Sequence, residues 1–401
     1  MKVLVINAGS SSLKYQLINM ENEQVIAKGN CEKIGVDGFI THKTADGRVI
    51  AEKVDFPTHA EAFMKLTEVL TSGEGKVIDD MKEVSAVGHR IVQGAERFTE
   101  SVLVTDSVVD TIEEIADLAP LHNPAHVLAI RACQKVLGKE IPQVVVFDTA
   151  FHQTMPEKAY MFAVPYEYYK KYHIRRYGFH GTSHRYVSAR LAKLLGKDIK
   201  DLKIVTCHIG NGSSITAVDG GKSVDTSMGF TPLGGILMGT RSGSLDPSVV
   251  TYIAEKENLT PKEVNDLLNK KSGYLGISGV TSDDRDMRAA AESGNERAQL
   301  ALTMVRYQIK KYIGAYAAAM GGLDAVVFTG GIGENSVELR QEVCENMKFL
   351  GIEIDSKKNV EFNGKEHDIS TDDASVRVWI VPTNEELTIA RDTVEIVSKL
   401  K

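Results

Sequence analysis

The stretch MKVLVINAGSSSLKYQLIN, residues 1–19, contains two apolar segments separated by a short turn rich in glycine and serine. Val3–Ile6 has the length and composition of a buried strand, and Leu13–Ile18 resumes as a second strand. Glycine adopts backbone conformations that other residues avoid, and serine hydroxyls with free N–H groups form a concavity that accepts an anion. An ordinary hairpin is the alternative interpretation of this stretch alone. It is not a P-loop, because G-x-x-x-x-G-K-[ST] is absent.

The same layout of strand, glycine-serine turn and strand recurs in IVTCHIGNGSSITAV, residues 204–218. A third glycine-rich turn follows the strand pattern of AVVFTGGIGENS, residues 325–336. Together the three turns predict a duplicated domain that binds nucleotide phosphates. Gly331 and Gly333 also begin a dinucleotide fingerprint, but Ser336 occupies the third glycine position and no convincing acidic residue follows at a strand end. A dehydrogenase is therefore disfavoured.

Length and composition favour a soluble globular protein of two domains. The chain has 401 residues, of which 43% are hydrophobic and 25% charged. Its net charge of −7 argues against nucleic acid as a partner, so an anion site would need a local concentration of Arg, Lys and backbone N–H groups. The four cysteines lie far apart, and no apolar run is long enough for a membrane span. We expect a cytoplasmic protein.

Strand and helix patterns alternate, which predicts an α/β fold. Asn123-Pro124 marks a helix start and Gly138 its end. The sequence TPKE, residues 260–263, is a capping box at the start of another helix. A long helical pattern runs from about Asn295 to Met320.

Two segments carry side chains suited to catalysis. Asp148 follows the strand IPQVVVF directly, where α/β sheets place active residues, although a turn or cap role is the alternative. His180 and His184 have the i, i+4 spacing of zinc ligands, but HGTSH lacks the glutamate of HExxH. Ser183 is predicted to cap the following helix, which leaves His180 in the turn before it, free to donate to an anion.

Two arginines and two glutamates complete this set. Arg90 lies at a strand end and Arg241 in a glycine-rich loop, and the guanidinium fork matches carboxylate and phosphate oxygens. Either arginine alone could be a solvated surface residue. Glu385 and Glu386 begin a predicted helix, where they would complement its dipole or hold Mg²⁺ beside phosphates.

These motifs resemble those of the acetate kinase family, and the resemblance is collinear from residue 1 to about residue 395. The most specific segments are RRYGFHGTSH, residues 175–184, and MGTRSG, residues 238–243. The resemblance implies duplicated actin-like (ribonuclease H-like) α/β domains with a cleft between them. It implies a first domain of residues 1–150 plus 386–401 and a second of residues 151–385.

The resemblance also implies roles for individual residues. Asn7 and Glu385 would bind Mg²⁺, with Mn²⁺ as an alternative ion. Arg90 and Arg241 would hold the carboxylate and the transferring phosphoryl group, which His180 would stabilise. The nucleotide would be bound by Lys14, His208, Ile209, Gly210, Asn211, Gly212, Asp283, Asp284, Arg285, Gly331, Ile332, Gly333, Glu334 and Asn335. A small apolar pocket for the acetate methyl group would be lined by Val92, Leu121, Phe179 and Pro232.

Asp148 would be the catalytic acidic residue by the same resemblance. A free carboxylic acid titrates near pH ~4, so acetate needs no base to ionise it at neutral pH. We therefore expect Asp148 to orient an arginine or Mg²⁺.

The implied activity is reversible, Mg²⁺-dependent phosphoryl transfer from ATP to acetate, giving acetyl phosphate and ADP, by a homodimer. Propionate kinase and butyrate kinase are the nearest alternatives, and a non-kinase actin-like ATPase is a more distant one. Gln93 and Ala95 stand where VHGG is common in the family, Gly234 replaces a frequent Glu, and Ser244 a frequent Asp. Because Gln93 and Gly234 neighbour pocket residues, they bear on the choice between acetate and propionate.

Overall fold

The computed structural model describes residues 1–120, 122–138 and 140–400. Contacts between residues divide the chain into two compact units. Unit 1 comprises Met1–Phe151 with Asn384–Lys401, and unit 2 comprises His152–Thr383. Both units combine a mixed sheet with helices, so the predicted α/β class is confirmed.

The strands and helices are numbered along the chain. The strands are β1 (Lys2–Gly9), β2 (Ser12–Asn19), β3 (Gln24–Glu32), β4 (Phe39–Thr44), β5 (Val49–Lys53), β6 (Val84–Ile91), β7 (Val102–Leu103), β8 (Gln143–Phe147), β9 (Lys203–Ile209), β10 (Ser213–Asp219), β11 (Lys222–Thr226), β12 (Ala325–Thr329), β13 (His367–Asp368) and β14 (Arg377–Ile380). The α-helices are α1 (His59–Thr71), α2 (Asp106–Glu114), α3 (Asn123–Leu137), α4 (Glu157–Tyr160), α5 (Tyr166–Tyr172), α6 (Gly181–Leu195), α7 (Pro247–Lys256), α8 (Pro261–Lys270), α9 (Gly273–Ser278), α10 (Asp284–Glu292), α11 (Glu296–Met320), α12 (Gly330–Asn335), α13 (Val337–Cys344), α14 (Ser356–Val360) and α15 (Glu385–Ser398).

The described part of unit 1 contains one sheet, in the strand order β5-β4-β3-β2-β1-β6-β8-β7. Alternate residues of β1 enter different apolar clusters, as the two-residue period of a strand requires. Leu4 and Ile6 join a cluster with α1 residues, whereas Val3 and Val5 join one with α15 residues. The sheet is therefore buried on both faces along β1, which explains the continuous apolar run at the start of the chain.

The described part of unit 2 contains a second sheet, in the order β11-β10-β9-β12-β14-β13. In each sheet the first strand pairs antiparallel with the next strand and parallel with a later one: β1 pairs with β2 and β6, and β9 with β10 and β12. Each sheet then continues with a further antiparallel strand on one side and a further parallel strand on the other. This recurrence explains the repeated layout of residues 1–19 and 204–218.

The glycine-rich turns have three different geometries. Gly9 pairs with Ser12 across a two-residue turn, and Ile209 pairs with Ser213 across Gly210–Gly212. The third segment forms the short helix α12 directly after β12. All three therefore follow a strand at its carboxyl end.

The predicted helix starts are confirmed in three cases and wrong in one. Helices α3, α8 and α11 begin at Asn123, Pro261 and Glu296, and α8 has its capping box. Helix α6 begins at Gly181, so Ser183 lies within its first turn and does not cap it. No helix in the described residues is both long enough and apolar enough to cross a membrane.

Candidate active site

In unit 1, Arg90 and Asp148 form a bidentate ion pair at the ends of neighbouring parallel strands. Arg90 lies near the end of β6, and Asp148 follows β8. Arg90 Nε and Nη2 donate to the two carboxylate oxygens of Asp148 at 3.1 and 2.5 Å. Arg90 Nη1 donates to Asn7 Oδ1 at 3.3 Å. The Asp148 side chain is 1% exposed and that of Arg90 21%, so the pair holds the guanidinium in place while leaving part of it accessible.

Glu385 adds a second buried carboxyl group beside Arg90. Burial is the main cause that raises the pKa of Glu385 to about 7; the charge of Arg90 opposes this shift, and those of Asp148 and Glu386 add to it. Its Oε1 is buried without a hydrogen-bond partner. Burial also disfavours the charged form of Arg90, but the nearby carboxylates outweigh it and raise the pKa of the guanidinium. Arg90 carries a single positive charge, whereas the carboxyl groups of Asp148, Glu385 and Glu386 all act on it.

A cavity of about 260 Å³ lies on the same unit, lined in part by Asn7, Lys14 and Glu386. Asn7 and Lys14 are direct partners across β1 and β2, so their side chains lie on the same face of the sheet. Lys14 is exposed and forms no ion pair with any described residue. The cavity wall thus carries three lysines, Lys14, Lys28 and Lys43, and one carboxylate, Glu386.

In unit 2, His180 and Arg241 converge on the turn between β9 and β10. A methyl group placed on the Cα atom of Gly212 would lie 3.5 Å from both His180 Nε2 and Arg241 Nη1. Arg241 Nη1 donates to the Pro232 carbonyl at 3.1 Å and contacts Met238 Sδ at 3.6 Å. Among the described residues Arg241 has no carboxylate partner, and burial lowers its pKa. A buried cation without a counter-charge is suited to binding an anion.

His180 is held by a network of buried polar groups. It precedes α6 in the left-handed region, with φ 55°. Its Nδ1 hydrogen-bonds with Ser214 Oγ at 2.9 Å, and the same hydroxyl bonds His184 Nε2 at 2.7 Å. His184 Nδ1 bonds Thr206 Oγ1 at 2.7 Å, so both of its ring nitrogens are occupied. His184 therefore supports the position of His180 through the Ser214 hydroxyl.

Ser183 and His208 form a second part of this network. Ser183 Oγ hydrogen-bonds with His208 Nδ1 and with Thr383 Oγ1, both at 2.8 Å. The rings of His208 and His180 stack with centroids 4.2 Å apart. The hydroxyl predicted to cap the helix instead fixes His208 against His180.

A second cavity, of about 570 Å³, lies in unit 2 beside the turns after β9 and β12. Predicted nucleotide residues supply most of its wall: Gly210, Asn211, Asp283, Asp284, Arg285, Gly331, Ile332 and Asn335. Ile209 is 1% exposed and belongs to the apolar core. Glu334 accepts from the backbone N–H of Gly330 at 2.9 Å, so it shapes the turn. Neither Ile209 nor Gly333 nor Glu334 lines the cavity.

The predicted apolar pocket residues are distributed over both units. Val92 lies in unit 1 and is 5% exposed. Phe179 and Pro232 lie in unit 2, where their carbonyls accept hydrogen bonds from His152 and Arg241. Leu121 lies outside the described residues.

Sequence reasoning missed several residues of the larger cavity. Tyr274, Ser282, Arg288 and Ser336 line it, together with Gly239. A side chain at Gly239 would collide with Asn211 Oδ1, so the glycine lets two loops meet. Arg288 pairs with Asp284 at 3.1 Å, one helical turn away. That i, i+4 spacing, and the position of Gly239 in MGTRSG, were the available signals.

In the described part of each unit, side chains alone do not form a complete metal-binding site. Among the described residues, no group of three or more His, Cys, Asp or Glu side chains is arranged to hold a metal ion. Mg²⁺ usually takes only one or two carboxylates, with water and substrate phosphates completing its shell. Asn7 Oδ1 and the unpartnered Glu385 Oε1 are oxygen atoms of the kind that Mg²⁺ prefers. These residues therefore fit such an ion.

Comparison with known proteins identifies the family of this chain. The model of the acetokinase family matches residues 2–391. An acetate kinase from Caldanaerobacter subterraneus subsp. tengcongensis is 57% identical over 403 residues, 100% of each chain. The crystal structure of Porphyromonas gingivalis acetate kinase has a TM-score of 0.96 at 50% identity, covering 99% of each chain. A propionate kinase from Francisella tularensis subsp. tularensis has a TM-score of 0.91 at 40% identity, covering 98% of this chain and 99% of its own. The chain belongs to the acetokinase family.

Proposed function

We propose that this protein transfers the γ-phosphoryl group of ATP to the carboxylate of acetate, giving acetyl phosphate and ADP, and that it catalyses the reverse reaction. The observation that carries the proposal is the convergence of Arg241 and His180 at Gly212, in a chain 57% identical to an acetate kinase over its whole length. A carboxylate attacking a phosphoryl group brings two anions together, so the site must neutralise charge and align the reacting atoms.

Arg241 and His180 are proposed to hold the transferring phosphoryl group. Arg241 meets only a carbonyl and a thioether in the described structure, so its charge is available to an incoming anion. The Ser214 hydroxyl on Nδ1 orients the His180 ring, and Nε2 lies on the side of Gly212. Both groups can therefore stabilise negative charge on the equatorial oxygens of the transition state.

Arg90 is proposed to hold the acid, with Asp148 as its positioning residue. Asp148 occupies the Nε and Nη2 edge of the guanidinium, which fixes the plane of the group. Acetate is ionised at neutral pH because its pKa is about 4, so no base is required. Asp148 is therefore proposed to act through Arg90 and not to remove a proton.

Asn7 and Glu385 are proposed to hold Mg²⁺, with Mn²⁺ as an alternative. When bound, Mg²⁺ supplies positive charge that offsets the phosphate oxygens. The buried, unpartnered Glu385 Oε1 supports this role, because a bound cation would oppose the burial that raises the pKa of this carboxyl group to about 7. Lys14, on the same sheet face as Asn7, is proposed to reach the phosphates.

The 570 Å³ cavity of unit 2 is proposed to bind the nucleotide. Glycines at positions 210, 239 and 331 keep its wall free of side chains and let backbone N–H groups approach phosphate. Asp283 and Arg285 lie at the start of α10, and Asp283 accepts from the Arg285 N–H at 2.9 Å. These residues would bind the nucleoside.

Val92, Leu121, Phe179 and Pro232 are proposed to contact the methyl group of acetate. Propionate is the second candidate acid, because a Francisella propionate kinase shares 40% of its residues with this chain. An apolar pocket separates acids differing by one methylene by only about 1–3 kcal/mol. Homodimer formation and a cytoplasmic location stay predictions.

The test is to incubate the protein with MgATP and a series of short carboxylates and to trap acyl phosphate with hydroxylamine. Acetate should give the most hydroxamate at limiting acid, and propionate less. Loss of ATP without hydroxamate would indicate an ATPase instead. Higher kcat/KM for propionate or butyrate would reassign the acid while leaving the reaction type intact.

A further inference from the structure

Residues 92–95, which follow Arg90 closely in the chain, form a loop whose backbone is held by side chains. All four backbone N–H groups donate to a side-chain atom: Val92 to His126 Nδ1 at 3.5 Å, Gln93 to Asn123 Oδ1 at 3.3 Å, Gly94 to Thr149 Oγ1 at 3.0 Å and Ala95 to Gln93 Oε1 at 2.8 Å. Most loops leave such groups to water. This loop is therefore held in one conformation.

Asn123 binds the loop at two points. Its Oδ1 accepts from the Gln93 N–H, and its Nδ2 donates to the Gln93 carbonyl at 3.0 Å. The carboxamide thus pairs with the backbone of Gln93 as a neighbouring strand would. Asn123 is the first residue of α3 and is fully buried, so the loop is fixed to a helix that packs in the core.

Gln93 holds the far end of the loop. Ala95 has φ 50°, a left-handed conformation that a residue with a Cβ atom disfavours. The bond from the Ala95 N–H to Gln93 Oε1 stabilises this conformation. Gln93 Nε2, in contrast, is buried without a hydrogen-bond partner, which is unfavourable for stability. A residue kept only for packing would be better apolar, so the Oε1 acceptor is the feature that explains glutamine here.

The loop also contacts the strand that carries Asp148. A methyl group on Gly94 would lie 2.8 Å from Cδ1 of Phe147, the residue before Asp148. The Asp148 N–H donates to the Ile91 carbonyl at 2.9 Å, immediately before the loop. The position of Val92 relative to Arg90 and Asp148 therefore depends on how the loop is held.

We propose that Gln93 and Asn123 are positioning residues for the acid, because together they hold residues 92–95 in the conformation that places Val92 beside the carboxylate bound at Arg90. This inference rests on the proposed function, in which Arg90 and Val92 contact the acid. The inference assigns the hydrogen bonds that Gln93 and Asn123 make to residues 92–95 to acid binding and not to nucleotide binding. The consequence is that acid affinity depends on two side chains that do not touch the acid.

The test compares Asn123→Ala, Gln93→Met and the double variant Gln93→Met with Ala95→Gly. Methionine matches the size of glutamine but lacks both the acceptor and the unpartnered donor. We expect each single variant to raise the KM for acetate about tenfold, because small misplacements of a binding group have large effects. The KM for ATP and kcat should change by less than about twofold. Glycine at position 95 adopts the left-handed conformation without strain, so the double variant should recover most of the acetate KM.

The matched control is His42→Leu, which removes two other buried hydrogen bonds of unit 1, from His42 Nε2 to the Gly75 carbonyl at 3.0 Å and between His42 Nδ1 and the Tyr15 hydroxyl at 2.6 Å. It should lower the thermal midpoint without raising the KM for acetate. Gln93→Met should instead raise that KM with little change in the midpoint, which a purely structural role would not produce.

If the wild-type protein is active and folded Gln93→Met and Asn123→Ala both keep its KM for acetate, the inference is wrong and the proposed function still stands. Equal rises in the KM for acetate and ATP, or failure of Ala95→Gly to rescue Gln93→Met, would overturn it too. If Asn123→Ala does not fold, Gln93→Met and its rescue decide the outcome. A wild-type protein that forms no hydroxamate would overturn the proposed function, and the inference with it.

Discussion

Arg90 in unit 1 and Arg241 in unit 2 are both partly buried, the first near the end of β6 and the second in a loop, but their partners differ. Arg90 forms two hydrogen bonds with the carboxylate of Asp148 and lies near Glu385. Arg241 meets a backbone carbonyl and a thioether, and no carboxylate among the described residues. Acidic surroundings raise the pKa of Arg90, whereas burial lowers that of Arg241.

The difference between their partners indicates that the two arginines have different roles in ligand binding. A guanidinium bound by a carboxylate is fixed in orientation, but much of its charge is already neutralised, so it positions a ligand more than it attracts one. A buried guanidinium with no counter-charge gains most from an incoming anion. We therefore expect Arg241 to dominate stabilisation of the phosphoryl group, and the acidic surroundings of Arg90 to govern orientation and cation binding.

The largest effect is expected from Arg241→Ala. Loss of the unneutralised cation should lower kcat/KM by about 2–4 kcal/mol, mainly through kcat, because the group acts on charge that develops in the transition state. Hydroxamate formation over a range of ATP and acetate concentrations measures it. Arg297→Ala, which removes an exposed arginine that also donates to a carbonyl, should leave the rate unchanged. If Arg241→Ala lowered kcat/KM less than Asp148→Asn does, the Arg90–Asp148 pair and not Arg241 would dominate stabilisation of the phosphoryl group.

Asp148→Asn should lower kcat/KM by about 2 kcal/mol, because the amide keeps the shape but not the charge that orients Arg90. The KM for ATP should hardly change, since Arg90 lies in unit 1 and the proposed nucleotide cavity in unit 2. The control is Glu113→Gln, which neutralises the carboxylate of an exposed arginine pair, Arg131 with Glu113 at 2.8 Å. Wild-type kinetics in Asp148→Asn would remove the positioning role.

Glu385→Gln should remove one contribution to the pH dependence of stability. The folded-state pKa of Glu385 is raised from 4.5 to about 7, so between these values the folded protein holds a proton that the unfolded chain releases. Wild-type stability relative to the variant therefore falls as pH rises through this window, by about 3 kcal/mol.

Urea unfolding of wild type and Glu385→Gln at pH 5 and pH 8, without nucleotide or divalent cations, tests this prediction. Burial lowers the pKa values of His126 and His184, so these residues make the folded protein more stable as pH rises. This contribution is the same in wild type and variant, and it cancels in the difference between their free energies of unfolding. A difference that does not vary with pH would mean that Glu385 is ionised in the folded protein throughout.

Val92→Ala is expected to have the smallest effect and to test whether unit 1 contacts the acid. The enlarged pocket should shift the kcat/KM ratio of propionate to acetate by about 1 kcal/mol in favour of propionate, mainly through the KM of the acid. A carboxylate series at saturating MgATP measures the ratio. An unchanged ratio would remove Val92 from the pocket.

Local sequence patterns predicted helix ends correctly where the residues that start the helix lie next to one another in the chain. Pro261 and the capping box of α8 are examples, because the hydrogen bonds that start this helix lie within four residues. The cap of α6 was predicted wrongly for a tertiary reason: Ser183 Oγ binds His208 and Thr383, which are distant in sequence. A hydroxyl with strong partners elsewhere in the fold is not available to cap its own helix.

The sequence by itself determined the α/β class, the repeated strand-turn-strand layout and the candidate arginines, histidines and acids, because these depend on residue type and short spacing. Only the tertiary structure decided their partners. It paired Arg90 with Asp148 at the ends of β6 and β8, left Arg241 without a carboxylate, and brought Asn123 to the backbone of Gln93. Such contacts join residues tens of positions apart, and they depend on strand order and helix packing, which no local pattern contains.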